Sequence, residues 1–198
     1  MKGVFCIEGF WYGDHRDSTS VYPILDLVKR FSKMPFLHHR CATKEEFIFC
    51  IKRWKTKSFH RNYPLLYLAF HGETERICIN SKESVTLDEL AEHLGDKCNR
   101  VVIYFGSCST VKTDRRRLQK FMEATKSVAV LGYKQQVDWL QSAAFEIQLL
   151  SHLQQHPFDS KGVLKIYDEV YRDCRPQIKA LDFRMIANDR IKFPRRRK

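Results

Sequence analysis

Apolar residues along this chain fall into two alternating patterns. In one they form short unbroken runs: Val4-Phe5-Cys6-Ile7, Leu65-Leu66-Tyr67-Leu68-Ala69-Phe70 and Val101-Val102-Ile103-Tyr104-Phe105. A run this short, rich in β-branched and aromatic side chains, is the pattern of a strand covered on both faces. In the other pattern apolar residues recur at helical spacing, as at Ile24, Leu25, Val28 and Phe31. Read this way, the chain predicts strands over residues 3–11, 36–41, 64–70, 100–105, 127–132 and 183–187, with a small hairpin or edge strand at 76–80. Helices are predicted over 21–32, 115–125, 139–155 and 162–174. Two more open at Thr43 and Thr86, whose Glu46 and Glu89 lie at capping-box spacing, and Gly95 closes the second. Strand and helix alternate throughout. The predicted fold class is therefore α/β: a doubly wound, mostly parallel, five- to six-stranded sheet with helices on both faces and right-handed crossovers. Residues 1–190 are expected to form one domain, followed by a basic C-terminal tail at 191–198.

Two of the predicted strands end in the same way. The third runs into His71-Gly72 and the fourth into Gly106-Ser107-Cys108. In an open parallel sheet, ligands and chemistry sit at the carboxyl ends of the strands. One hairpin and one helix separate the two runs, a single crossover unit, so the strands are expected to be neighbours and to deliver a thiol and an imidazole to one edge. A thiolate is the nucleophilic form of cysteine, and a nearby imidazole both favours it and protonates a leaving amine. Gly72 lets a backbone approach a carbonyl oxygen, and the amides of Gly72 and Cys108 are candidate oxyanion donors. Either residue taken singly reads as readily as an inert strand-end cysteine or a solvated edge histidine; the shared pattern is what sets the pair apart.

Composition narrows the setting. The formal net charge is +12, with local basic runs at Arg115-Arg116-Arg117 and Arg195-Arg196-Arg197-Lys198. Such charge suits an acidic partner or nucleic acid, or is simply a solvated helix face and tail; nucleic acid is not favoured, since no zinc-finger or RRM pattern occurs. The 7 cysteines are an odd number without a secretory leader, which predicts free thiols in a reducing cytoplasm. No apolar stretch is long enough for a membrane span, so no membrane partner is expected. No motif asks for a cofactor or metal: there is no CxxC, and His71, Cys78, His93 and Cys98, which can be grouped on paper, lack zinc-ligand spacing. Glu8-Gly9-Phe10-Trp11-Tyr12-Gly13 after the first strand is neither a dinucleotide nor a Walker loop, which argues against a nucleotide-binding domain.

On the blocks LLYLAFHG (65–72) and VVIYFGSC (101–108), the chain resembles the caspase-like (clan CD) cysteine peptidases, a group that includes caspases, metacaspases, legumains, gingipains, separases and CHAT domains. The resemblance implies a caspase-like sheet, a His71–Cys108 catalytic dyad and an oxyanion hole of the Gly72 and Cys108 amides. A third block, LGYKQQVDWLQSAAFEIQLL (131–150), is similar to the strand exit and following helix of CHAT and separase proteins. By that likeness Asp138 lines the pocket for the residue before the scissile bond and favours Arg or Lys; alternatively Asp138 caps the helix that starts at Trp139. Glu8 either reaches the same pocket or is a solvated strand-end charge. No long cleavable linker follows Cys108, so caspase-style maturation is not expected, and an activating partner protein is an alternative. The expected function is a cysteine endopeptidase acting on proteins or peptides. The competing expectation is an inactive scaffold of the same fold that binds an acidic protein or nucleic acid.

Overall fold

The computed structural model describes residues 1–12, 18–56 and 59–189; the predicted tail at 191–198 lies outside the described residues. Its elements in chain order are β1 (Val4–Glu8), α1 (Tyr22–Ser32), β2 (Phe36–Arg40), α2 (Lys44–Lys55), α3 (Phe59–Asn62), β3 (Leu65–Ala69), β4 (His71–Glu73), β5 (Arg76–Cys78), β6 (Ser84–Thr86), α4 (Leu87–Leu94), β7 (Val102–Phe105), α5 (Arg115–Thr125), β8 (Ala129–Tyr133), α6 (Trp139–Gln155), α7 (Ser160–Asp173), α8 (Arg175–Ala180) and β9 (Phe183–Ala187). Six strands form one sheet in the order β2-β1-β3-β7-β8-β9. The first five run parallel, and β9 pairs antiparallel with β8.

The apolar runs predicted as strands are the buried centre of this sheet: every residue of β1, β3, β7 and β8 is buried. Alternate side chains feed two cores. On one face Val4, Cys6, Leu65, Tyr67, Val102 and Tyr104 pack with α1, α6 and α7. On the other, Phe5, Ile7, Leu66, Leu68, Ile103 and Phe105 pack with α2, α4 and α5. Two-sided burial is why these strands read as unbroken apolar runs rather than as alternating ones.

Both predicted capping boxes form. Thr43 accepts from the Glu46 amide while the Glu46 carboxylate reaches back to the Thr43 amide, and Thr86 and Glu89 do the same. The expected hairpin near residue 76 is one half of a larger feature, a three-stranded antiparallel sheet β4-β5-β6. Its first strand begins at His71, so the imidazole sits where the parallel strand β3 passes into a ribbon that leaves the main sheet. Two short helices, α3 and α8, carry too few residues to show a helical period and are not anticipated by the pattern. Among the described residues no helix is long and apolar enough to cross a membrane.

The chain goes from β1 out to β2 on one side, then crosses back to β3 on the other. The connections that leave the carboxyl ends of β1 and β3 therefore diverge and open a crevice there, the usual ligand position in a doubly wound sheet.

Candidate active site

Cys108 follows β7 in a loop that is held at several points. The Gly106 amide donates to the Leu68 carbonyl at 2.9 Å, which ties the loop to the end of β3. Ser107 is buried and its Oγ lies 2.8 Å from Thr110 Oγ1, which in turn donates to the Arg76 carbonyl at 3.1 Å. Ser109, next to the cysteine, has φ +60°, a left-handed conformation that non-glycine residues adopt only under local constraint. The result is a tight turn that leaves the Cys108 side chain half-buried at the strand end.

His71 lies at the end of the neighbouring strand, as β3 and β7 pair directly. Its partner glycine shows how close the two loops are: a Cβ built on Gly72 would lie 2.4 Å from the Cys108 carbonyl oxygen and 2.3 Å from Thr110 Oγ1. Only a residue without a side chain permits this approach. The exposed His71 ring is oriented from behind. Its Nε2 is hydrogen-bonded to the Trp11 carbonyl oxygen, and its ring meets the Trp11 indole edge-on at 5.2 Å. A carbonyl only accepts, so Nε2 carries the hydrogen and Nδ1 is the nitrogen left to exchange a proton.

Trp11 is in turn held by Glu8. The Glu8 carboxylate is fully buried at the end of β1 and accepts from Trp11 Nε1 at 2.7 Å, Ser20 Oγ at 2.6 Å and the Val21 amide at 2.8 Å, with His38 Nε2 at 2.7 Å. Burial pushes its pKa up, but the hydrogen bonds from His38, Ser20, Trp11 and Val21 prevail and hold it below the ordinary carboxylate value. The expectation of a solvated strand-end charge is thus corrected: β1 ends inside the protein, under the loop that carries Trp11. Glu8 meets the crevice through Trp11 instead of facing it.

His71, Gly72, Gly106 and Cys108 line one side of a cavity of about 280 Å³. Val21 just before α1, Ile24 within it, Val137, and the indoles of Trp11 and Trp139, which meet edge-on at 4.5 Å, form apolar walls. Tyr133, Gln136, Ser142 and Glu146 complete it. Glu146 is a buried carboxylate on the inner face of α6. It accepts from Tyr67 Oη and Tyr104 Oη at 2.7 Å each and from Tyr133 Oη at 3.3 Å. Burial drives its pKa above the ordinary value, although the three phenols pull the other way. Asp138 is placed differently from the pocket-lining expectation: it is exposed and caps α6, with Oδ1 accepting from the Gln141 amide at 2.9 Å. Its neighbours Val137 and Trp139 line the cavity.

Sequence reasoning thus reached His71, Gly72 and Cys108, which the fold brings to one crevice, and missed Trp11 and Glu146. Glu146 left a trace, as a carboxylate in the buried stripe Ser142, Glu146, Leu149, Leu150 and Leu153 of α6. Trp11 left none, since its role depends on where the β1 exit loop folds back. Among the described residues no group of three or more His, Cys, Asp or Glu side chains is arranged to hold a metal ion.

A mostly parallel sheet with helices on both faces, with the ends of two neighbouring strands opening on one crevice, defines a caspase-like α/β fold. The crystal structure of the Drosophila initiator caspase Dronc is similar to it, with a TM-score of 0.55 over 85% of this chain and 72% of that one, at 12% sequence identity. The chain belongs to a family of unknown function, DUF6642, whose model matches residues 1–186. No curated protein matches it.

Proposed function

We propose that this protein is a cysteine endopeptidase that works through a His71–Cys108 dyad and cleaves after basic residues. The observation that carries the proposal is that an exposed imidazole and a half-buried thiol line one crevice at the carboxyl edge of the sheet, with the imidazole oriented by the Trp11 carbonyl. In the proposed reaction His71 Nδ1 takes the proton from Cys108 Sγ. The thiolate attacks the peptide carbonyl carbon, and the amides of Gly72 and Cys108 receive the oxyanion. The C–N bond breaks as the imidazolium returns its proton to the leaving amine, which leaves a thioester. Water, deprotonated by the same imidazole, hydrolyses the thioester to a carboxylic acid and restores the thiol. No metal or cofactor enters this scheme.

The 7 cysteines are all free, as a reducing cytoplasm would keep them. Only a short turn separates Cys108 from α5 at Arg115, so control by a partner protein fits this chain better than control by internal cutting. The finer affinity to CHAT and separase proteins rests on residues 131–150, the segment from which Tyr133, Val137, Trp139 and Glu146 line the crevice. Cys108→Ala and His71→Ala are each expected to reduce cleavage of Arg- and Lys-containing peptides by about a thousandfold or more with the fold intact. Full activity in both variants would end the proposal.

A second reading, a scaffold for an acidic protein or nucleic acid, is favoured by a groove of about 840 Å³ whose lining includes Lys2, Arg61, Lys97 and Arg100 against one carboxylate, Asp96, which pairs with Lys97. It predicts salt-dependent RNA or polyglutamate binding that Arg61→Glu with Arg100→Glu removes, in a protein that cuts no peptide.

A further inference from the structure

We propose that Glu146, not Asp138, is the residue that selects the substrate side chain, and that it does so by accepting a cation: the guanidinium or ammonium group of an arginine or lysine that enters the crevice beside Cys108. The proposal rests on the peptidase reading for the origin of that side chain, while the cation site itself does not depend on catalysis.

Three observations lead to Glu146. It lines the same cavity as His71 and Cys108 and is 4% exposed, so a group that reaches it is itself largely taken out of water. Among the described residues its hydrogen-bond donors Tyr67, Tyr104 and Tyr133 are neutral phenols, and the like-signed Glu8 also acts on it. A buried carboxylate in such company is costly unless a counter-ion arrives. Finally, Tyr104 and Tyr133, which also hydrogen-bond each other, approach Oε1, whereas Oε2 accepts from Tyr67 alone and so retains an acceptor position for an incoming N–H.

The rest of the cavity fits the stem of such a side chain. Val21, Ile24 and Val137 are aliphatic, and Trp11 and Trp139 present indole surface. A long methylene chain is covered by these walls while its charged end meets the carboxylate. Gly106 keeps this end of the cavity in shape: a Cβ there would lie 2.3 Å from the Tyr67 ring, whose phenol supports Glu146. An acidic side chain would bring a second negative charge to a buried anion. An apolar side chain would seal the carboxylate without a counter-ion. Asp138 offers neither enclosure nor a free geometry, because it is exposed and engaged with the first turn of α6.

The test uses a set of fluorogenic peptides that differ only in the residue before the scissile bond (Arg, Lys, Gln, Leu or Asp), together with agmatine, which carries the guanidinium and stem but no peptide bond. Wild-type protein should cut the Arg or Lys peptide at least about tenfold better than the others. Glu146→Gln should lower kcat/KM for that peptide by about a hundredfold while the Gln peptide changes little. Calorimetry should detect agmatine binding to Cys108→Ala and its loss in Cys108→Ala with Glu146→Gln. A wild-type preference for Leu, Gln or Asp, an unchanged Arg rate in Glu146→Gln, or no agmatine binding to Cys108→Ala would each overturn the assignment. Agmatine binding by a protein that cuts no peptide would uphold the cation site and remove the peptidase reading. The wild-type preference and agmatine binding require no change at Glu146, so both remain decisive if Glu146→Gln fails to fold.

Discussion

At the scale of single residues, the crevice depends on one missing side chain and one buried charge. Gly72→Ala would place a methyl group 2.4 Å from the Cys108 carbonyl oxygen, a backbone atom that cannot move aside cheaply. The expected outcome is a stability loss of about 1–3 kcal/mol in urea titration, with a fall in kcat larger than the stability loss explains, because the strain falls on the loop that carries the thiol. Glu8 acts at one remove, by holding Trp11, whose carbonyl orients His71. Its folded pKa lies below its unfolded value, so the unfolded chain binds the proton more readily. The stabilisation is therefore present above the ordinary carboxylate pKa and is lost as pH falls through the lower folded value. Glu8→Gln is expected to cost about 2–3 kcal/mol at pH 7. Chemical denaturation at a series of pH values should show that gap closing on the acid side; a gap independent of pH would exclude an ionised Glu8 as its source.

At the scale of elements, the small antiparallel sheet and the cysteine loop are joined as one unit. Glu75, at the turn between β4 and β5, links them: its amide donates to the Thr110 carbonyl at 3.2 Å and its carboxylate accepts from Thr113 Oγ1 and from Arg117 Nε. Arg117 also makes a two-pronged pair with Asp88 at the start of α4. The run Arg115-Arg116-Arg117, which reads as a solvated basic face in the sequence, therefore has one member committed to holding α5 against the ribbon. Arg115 and Arg116 are exposed, as a solvated face would have them, and only Arg117 departs from it, since charge runs report nothing about partners a distant loop supplies. Capping can be tested more directly. Thr86→Ala removes half of a formed capping box and should cost about 1 kcal/mol in denaturant titration. Lys44 and the Thr86 cap lower the Glu89 pKa to about 2, so the box stays charged across the physiological range.

At the scale of the whole molecule, the seven thiols differ by where the fold puts them. Burial raises the pKa of Cys98 to about 12 and raises those of Cys6, Cys78 and Cys174. The hydrogen bond with Cys50 raises Cys41, and the same contact, 3.6 Å between the sulfurs, lowers Cys50. Iodoacetamide at pH 7.5 (about one unit below an ordinary thiol pKa) is therefore expected to label Cys50 well before Cys6, Cys41, Cys78, Cys98 and Cys174, and the proposed dyad adds Cys108 to the early group. Peptide mapping by mass spectrometry reads the order. His71→Ala should slow labelling at Cys108 and leave Cys50 unchanged. Equal slowing at both positions would mean that the imidazole acts on the fold in general and not on the crevice thiol.

Much of this architecture is legible in the residues themselves. Apolar runs, helical spacing and capping boxes are local, and a strand buried on both faces has little choice of composition, so β1, β3, β7, α6 and β9 follow from the chain. His71 and Cys108 stand out because each ends such a run. Contacts among residues remote in sequence are another matter. The orientation of His71 by Trp11, the burial of Glu8 and the convergence of Tyr67, Tyr104 and Tyr133 on Glu146 each require elements from distant parts of the chain to meet. Asp138 could be placed locally as a helix cap, whereas the carboxylate inside the crevice emerged only when α6 packed across three strands. Local propensity sets the elements, and strand order decides which side chains share a wall.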